Sequence, residues 1–315
     1  MGLGYAWFCR AEIRRAGIIA LAGIVLTGLA ASGRAQQVAI TFDDLPAHGP
    51  LPPGETRLEV ANKVIHALRR AHVPPTFGFI NAIRLQEDPS TAAVLTAWRD
   101  AGNPLGNHTW SHMNLNQHSL EQFEDDTQKD ETQLQLRMDG GDWHWFRFPF
   151  LAEGDTVTKK MGFRVYLAQH NYKIAGVTMS FADYEWNEPY ARCSTKHDKP
   201  AIARLEHTYL EAAADDIGFR HAMSQQLYGH DIPYVLLMHI GAFDARMLPR
   251  LLRLYHDHGF TFVSLGDAEK DPFYKYDVDP KLLPGPDTLE AAMADKHLTL
   301  PPHKDYSAEL DKTCR

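Results

Sequence analysis

Past residue 36 the chain alternates between short apolar runs and longer segments of helical period. Val38–Phe42, Thr76–Ile80, Pro104–Asn107, Trp145–Phe148, Lys173–Thr178, Tyr234–Met238 and Phe260–Ser264 have the length and enrichment of buried strands. Between them, Glu55–His72 repeats Leu58, Ala61, Val64, Ile65 and Leu68 at helical spacing. Ser90–Ala101 is helical and stops at Gly102, and Ser119 with Gln122 three residues on is a capping-box start for a polar helix reaching Met138. Further helices are expected over 157–169, 201–227 and 245–256. Strands separated by helices imply parallel βαβ units and an α/β fold. A closed or nearly closed barrel is the natural solution, and a doubly wound open sheet shares the same periodicity. From about Asp267 the chain becomes Pro-rich and polar, which reads as a wrapping tail, 267–315, behind a catalytic domain spanning 36–266.

The first 35 residues follow another rule. Arg10, Arg14 and Arg15 precede the apolar stretch Ala16–Ala31, and Ser32-Gly33-Arg34-Ala35 supplies small residues at a cleavage position after Ala35. This is the tripartite pattern of a secretory signal peptide, 1–35, and the apolar stretch is short of the roughly 20 residues a spanning helix needs. A retained anchor would face the same compartment, so an exported protein, periplasmic or secreted, is expected with no stable membrane insertion after cleavage. The segment carries a local charge of +3 within a chain of net charge −8, so the remainder carries −11. A body this acidic opposes nucleic acid as a partner. The composition, 44% hydrophobic and 23% charged, is that of a globular protein with a core of useful size. Cys9 leaves with the signal, so Cys193 and Cys314 form a mature pair expected to be joined in an oxidising compartment.

Candidate chemistry collects at the carboxyl ends of the expected strands, the active face of β/α folds. The first strand ends in Thr41-Phe42-Asp43-Asp44, two adjacent carboxylates that need a neutralising partner. The third runs into His108-Thr109-Trp110-Ser111-His112, two histidines four apart on one face of a helical turn, a spacing suited to a metal. One carboxylate with two imidazoles makes a three-ligand site that leaves positions open, and the second carboxylate remains free as a base. Arg147 ends the fourth strand and can clamp a carboxylate. His239 ends the sixth and is a candidate acid or base. There is no G-x-S-x-G, P-loop or G-x-G-x-x-G, which disfavours a serine hydrolase or a nucleotide enzyme.

Taken in order, Thr41-Phe42-Asp43-Asp44, His108-Thr109-x-x-His112, Arg147-x-Pro149-Phe150 and Leu237-x-His239 resemble the motifs of the polysaccharide deacetylase family, carbohydrate esterase family 4. The resemblance spans about Val38 to Ser264. It implies a distorted (β/α) barrel and one divalent metal ion, usually zinc. The implied reaction is hydrolysis of an N-acetyl group, less often an O-acetyl group, on an acetylated carbohydrate. By the same resemblance Asp44, His108 and His112 are metal ligands, Asp43 the base, His239 the acid and Arg147 the residue that orients Asp43. Phe150 contributes its backbone N–H to the oxyanion, while Leu237 and Trp186 shape the acetyl pocket. One motif departs: the family's Asp-x-x-Asp-Trp is replaced by Asp183-Tyr184-Glu185-Trp186, where Asp183 and Glu185 alternate onto one strand face so that either can hold His239. The readings that compete with a sugar deacetylase are an amidohydrolase on a non-sugar amide and a non-catalytic exported carbohydrate-binding protein. The second has no chemical use for Asp43 and His239 beside three ligands.

Overall fold

The computed structural model describes residues 1–4 and 36–315, so the expected signal segment lies outside the described residues. The seven expected strands form one curled parallel sheet: β1 (Gln36–Leu45), β2 (Gly78–Ile80), β3 (Leu105–Asn107), β4 (Trp145–Phe146), β5 (Lys173–Ile174), β6 (Tyr234–His239) and β7 (Phe260–Val263). The order is β5-β4-β3-β2-β1-β6, with β7 also on β1. β6 pairs with β1 from Val38 to Asp43, whereas β7 takes Gln36–Ala39 and β2 takes the far end of β1. The chain leaving β5 then returns to β6: Met179 bridges Leu236, and Leu237 N–H donates to the Met179 carbonyl at 3.0 Å. The open edges of the sheet thereby meet, which settles the barrel-like solution over the flat open sheet.

The helices run in chain order as α1 (Arg57–Arg70), α2 (Ile83–Glu87), α3 (Ala92–Asp100), α4 (Leu120–Met138), α5 (Val157–Gln169), α6 (Asn187–Thr195), α7 (Lys199–Tyr228) and α8 (Ala242–Asp257). Short α9 (Leu265–Ala268), α10 (Lys275–Val278), α11 (Leu289–Asp295) and α12 (Ser307–Lys312) follow in the C-terminal segment. α1 begins at Thr56, whose hydroxyl accepts from Glu59 N–H while the Glu59 carboxylate accepts from Thr56 N–H. Ser119 and Gln122 make the same reciprocal cap on α4. The inward face of α1 is Val60, Ala61, Val64, Ile65 and Leu68, and Leu58, expected on it, is exposed. α4 differs, because its buried face includes Asp126, Thr127 and Asp130, the first of which holds a loop described below.

Residues Val38–Phe42 are buried without a break, as a strand covered on both faces must be. β3 approaches its neighbours so closely that a Cβ on Gly106 would sit 2.6 Å from the Phe79 ring and 2.8 Å from the Trp145 carbonyl. Glycine is thus required one residue before Asn107-His108. The segment beyond Asp267 belongs to the same compact unit as the sheet, Ala35–Arg315. Cys193 in α6 and Cys314 are joined in a disulfide, as the export reading expects. Arg192 reinforces this tether by donating to the Thr313 carbonyl at 2.9 Å and the Leu310 carbonyl at 3.1 Å.

Candidate active site

Sheet register places the first pair of groups. Asp43 on β1 is the direct partner of His239 on β6, so both side chains leave the carboxyl edge at one level. Adjacent residues of a regular strand face opposite ways, and Asp44 would be lost to the other face. The β1–β2 register shifts between Phe42 and Leu45, and Asp44 itself has a φ of 62°. That irregularity turns Asp44 back toward the site beside Asp43.

His108 follows β3 directly. Its Nδ1 lies 2.7 Å from the Arg147 carbonyl, an acceptor only, so Nδ1 carries the proton and Nε2 presents a lone pair to the cavity. His112 arrives by a turn, not by the helical turn expected from its spacing: Thr109 and His112 have φ of 60° and 57°. α4 holds this turn, with the Asp126 carboxylate accepting from Ser111 N–H at 2.9 Å and from its hydroxyl at 3.0 Å. Asn81 Nδ2 clamps the other side by donating to the carbonyls of His108, at 2.6 Å, and Thr109, at 3.0 Å. His112 Nε2 and His108 Nε2 lie 3.4 and 3.5 Å from Asp44 Oδ1. Asp44 Oδ1 is buried and has no hydrogen-bond partner. A buried, unsatisfied carboxylate oxygen facing two imidazole lone pairs is an arrangement a divalent cation satisfies, and the O, N, N donor set suits zinc. Asp44, His108 and His112 therefore fit the ion that the sequence led us to expect.

The two carboxylates have opposite electrostatics. Burial pushes Asp43 up to about 6 against the pull of Arg147. Arg147 Nη1 donates to it at 3.1 Å, Nη2 to the Thr41 hydroxyl at 3.0 Å and Nε to the Ala175 carbonyl at 2.8 Å, so the guanidinium is fixed on three sides. Burial also acts to raise Asp44, yet a hydrogen bond from His48 and the nearby imidazoles hold it well below the usual carboxylate range. His239 is buried, which alone would favour its neutral form, but Asp183 reverses this and pushes it up to about 10. Asp183 Oδ1 lies 2.9 Å from His239 Nδ1, and Oδ2 accepts from His239 N–H at 2.7 Å.

The choice between Asp183 and Glu185 is thereby made, and its expected basis is corrected. Asp183–Trp186 is a turn of 3-10 helix, not a strand, so the two acids do not share a face. Glu185 points to the C-terminal segment and accepts from the Ser307 hydroxyl at 3.1 Å.

These groups floor a cavity of about 570 Å³. Leu237 and Trp186 line it, both buried, with the Trp186 indole N–H donating to the Thr208 hydroxyl. Phe150 also lines it, half out in solvent, with a φ of 58° and its ring 4.4 Å from that of His112. All nine expected site residues thus border or reach one cavity, with Arg147 behind Asp43.

Two features escaped the sequence reading. His48, four residues beyond Asp44, was detectable as a spacing but lies past Pro46 in a Pro/Gly-rich loop where no helical relation is implied. His303–Ser307, close to the end of the chain, form the far wall, with the Tyr306 ring 5.8 Å from Trp186. Only Cys314 hinted that this segment returns to the site.

Comparison with known proteins adds the following. Residues 30–166 match the polysaccharide deacetylase family model. Comparison with curated proteins gives no match. Among solved structures, "T48 deacetylase with substrate" aligns at 22% identity over 75% of this chain and 92% of its own, with a TM-score of 0.47. The peptidoglycan deacetylase PdaC from Bacillus subtilis aligns at 18% identity over 75% and 91%, with a TM-score of 0.48. BA3943 from Bacillus anthracis, a CE4 family pseudoenzyme, aligns at 16% identity over 75% of this chain and 66% of its own, with a TM-score of 0.50. At 16% identity the last likeness is one of fold alone. Because a pseudoenzyme shares that fold, activity has to be argued from this chain's own residues.

Proposed function

We propose that this chain, whose residues 30–166 match the polysaccharide deacetylase family model, is a metal-dependent hydrolase of N-acetyl, rather than O-acetyl, groups on an extracytoplasmic poly- or oligosaccharide. The observation that carries this reading is the register pair Asp43–His239 beside Asp44, His108 and His112. A binding protein needs none of the proton-moving groups. Asp44, His108 and His112 would hold one divalent ion, zinc by its donor set. The chemistry such an ion supplies is Lewis acidity toward water and the acyl oxygen.

The chain's own residues do the rest. Asp43, poised near 6 and clamped by Arg147, takes the proton from the attacking water. His239, kept protonated by Asp183, gives a proton to the departing nitrogen, which cannot leave as an amide ion. The Phe150 backbone N–H faces the oxyanion, and Leu237 with Trp186 takes the acetyl methyl group. The Cys193–Cys314 bond and the Arg-led apolar start support export.

Apolar walls, Phe148, Phe150, Leu151 and Phe181, favour one second reading, a compact non-sugar N-acyl amide. Acetate release from chitin oligomers, peptidoglycan fragments, acetylated xylan and simple N-acetyl amides tests both. N-acetylated sugars should release acetate, lose it with chelator and regain it with zinc. Release from the simple amides alone would select the second reading, and none from any substrate would overturn both.

A further inference from the structure

His48 has no part in the chemistry above, yet it sits against the proposed metal site. Its Nδ1 lies 2.7 Å from Asp44 Oδ2, the oxygen turned away from His108 and His112. The two oxygens of Asp44 are therefore divided, with Oδ2 taken by His48 and Oδ1 buried and unpartnered. A carboxylate can rotate about its last bond, and Asp44 leaves the strand in a left-handed conformation that does not fix that rotation. The loop carrying His48 is itself anchored, because Arg57 at the start of α1 donates from both terminal nitrogens to the carbonyls of His48 and Gly49. The His48 ring also rests 4.7 Å from that of His239 and packs on the edge of Tyr184. It is only partly exposed.

We propose that His48 is a positioning residue for the metal site: its Nδ1–H holds Asp44 Oδ2 so that Oδ1 alone faces the ion, and Arg57 seats the loop that delivers it. This rests on the ligand set of the proposed function. Hydrogen-bond partners of metal ligands fix their orientation, and losing one typically costs about 10- to 100-fold in metal affinity. Asp44, His48 and His239 also converge closely enough to hold an ion themselves, which is the rival role for His48.

The experiment is zinc affinity by chelator competition, with metal content per folded chain, on the full exported protein. Wild type should bind one ion. His48→Ala should still bind one, about 10- to 100-fold more weakly, while His48→Asn, which keeps an N–H donor near the Nδ1 position, should recover most of the loss. Arg57→Ala should fall between wild type and His48→Ala. Unchanged affinity in His48→Ala would overturn the proposal. Two ions in wild type falling to one in His48→Ala would overturn it too, making His48 a ligand. A wild type that takes up no ion contradicts the metal centre of the proposed function instead. The hydrogen bond is then judged by the ¹⁵N shifts of the His48 ring in chelator-treated protein, where a protonated Nδ1 supports the positioning contact and a bare Nδ1 refutes it.

Discussion

Asp43, Asp44, His108 and His239 reach the cavity from the carboxyl ends of β1, β3 and β6, whereas His303–Ser307 reach it from near the end of the chain. The first region is fixed by backbone pairing: Asp43 and His239 are register partners, and Arg147 is locked by three acceptors. The second is fixed by side chains and one covalent bond, through Arg192, the Glu185–Ser307 contact and Cys193–Cys314. A floor held by the sheet can keep proton donors and acceptors at constant distances. A wall held by a tether at the chain end can change without disturbing them. On this account floor substitutions act on kcat, and wall substitutions act on KM and stability.

The largest effect should come from the floor. His239→Ala should lower kcat by about 10²–10⁴-fold with KM and fold little changed, as steady-state kinetics and circular dichroism would show. Retention of near wild-type turnover would remove the acid role and blur the distinction.

Joint replacement Cys193→Ser and Cys314→Ser probes the wall. The two cysteines are 121 residues apart, and the chain-entropy model gives a loop of that size at most about 4–5 kcal/mol. Denaturant midpoints should therefore fall clearly, KM should rise, and kcat of the folded fraction should hold. An equal loss of kcat would show that the tether also positions the floor.

Smaller still is Tyr306→Leu, which removes one member of the Tyr306–Trp186 pair. Such pairs contribute about 0.5–1.5 kcal/mol, so stability in denaturant should fall by about that much while kcat holds. A change in kcat alone would contradict a wall role.

The pH profile sharpens the floor itself. As the proposed base, Asp43 has to be deprotonated, so activity should rise as pH passes its value near 6 from below. As the proposed acid, His239 has to be protonated, so activity should fall as pH rises through its own, raised value. A bound cation nearby lowers both. Asp183→Asn removes what raises His239, so the alkaline limb should move to lower pH while the acid limb stays. Movement of the acid limb alone would reverse the assignment.

The same contrast governs what could be read from the sequence. Strands, capped helices and strand-end motifs are short-range, and the apolar runs and the Ser119–Gln122 cap mark them directly. The irregularity that turns Asp44 inward was not legible, because it depends on how β1 meets β2. Nor was the 3-10 turn at Asp183, where alternation along a strand put Asp183 and Glu185 on one face and left the choice between them open. His303–Ser307 lie far in sequence from every group they face, and no local pattern encodes such a contact.

The proposed function makes ligands and proton movers separate groups on one floor. Metal content and acetate release, measured on the same preparations of wild type, His112→Ala and Asp43→Asn, tell the two roles apart. His112→Ala should lose metal and turnover together, while Asp43→Asn should keep its metal and lose turnover by about 10²-fold or more. Full metal in His112→Ala, or near wild-type acetate release by Asp43→Asn, would contradict it.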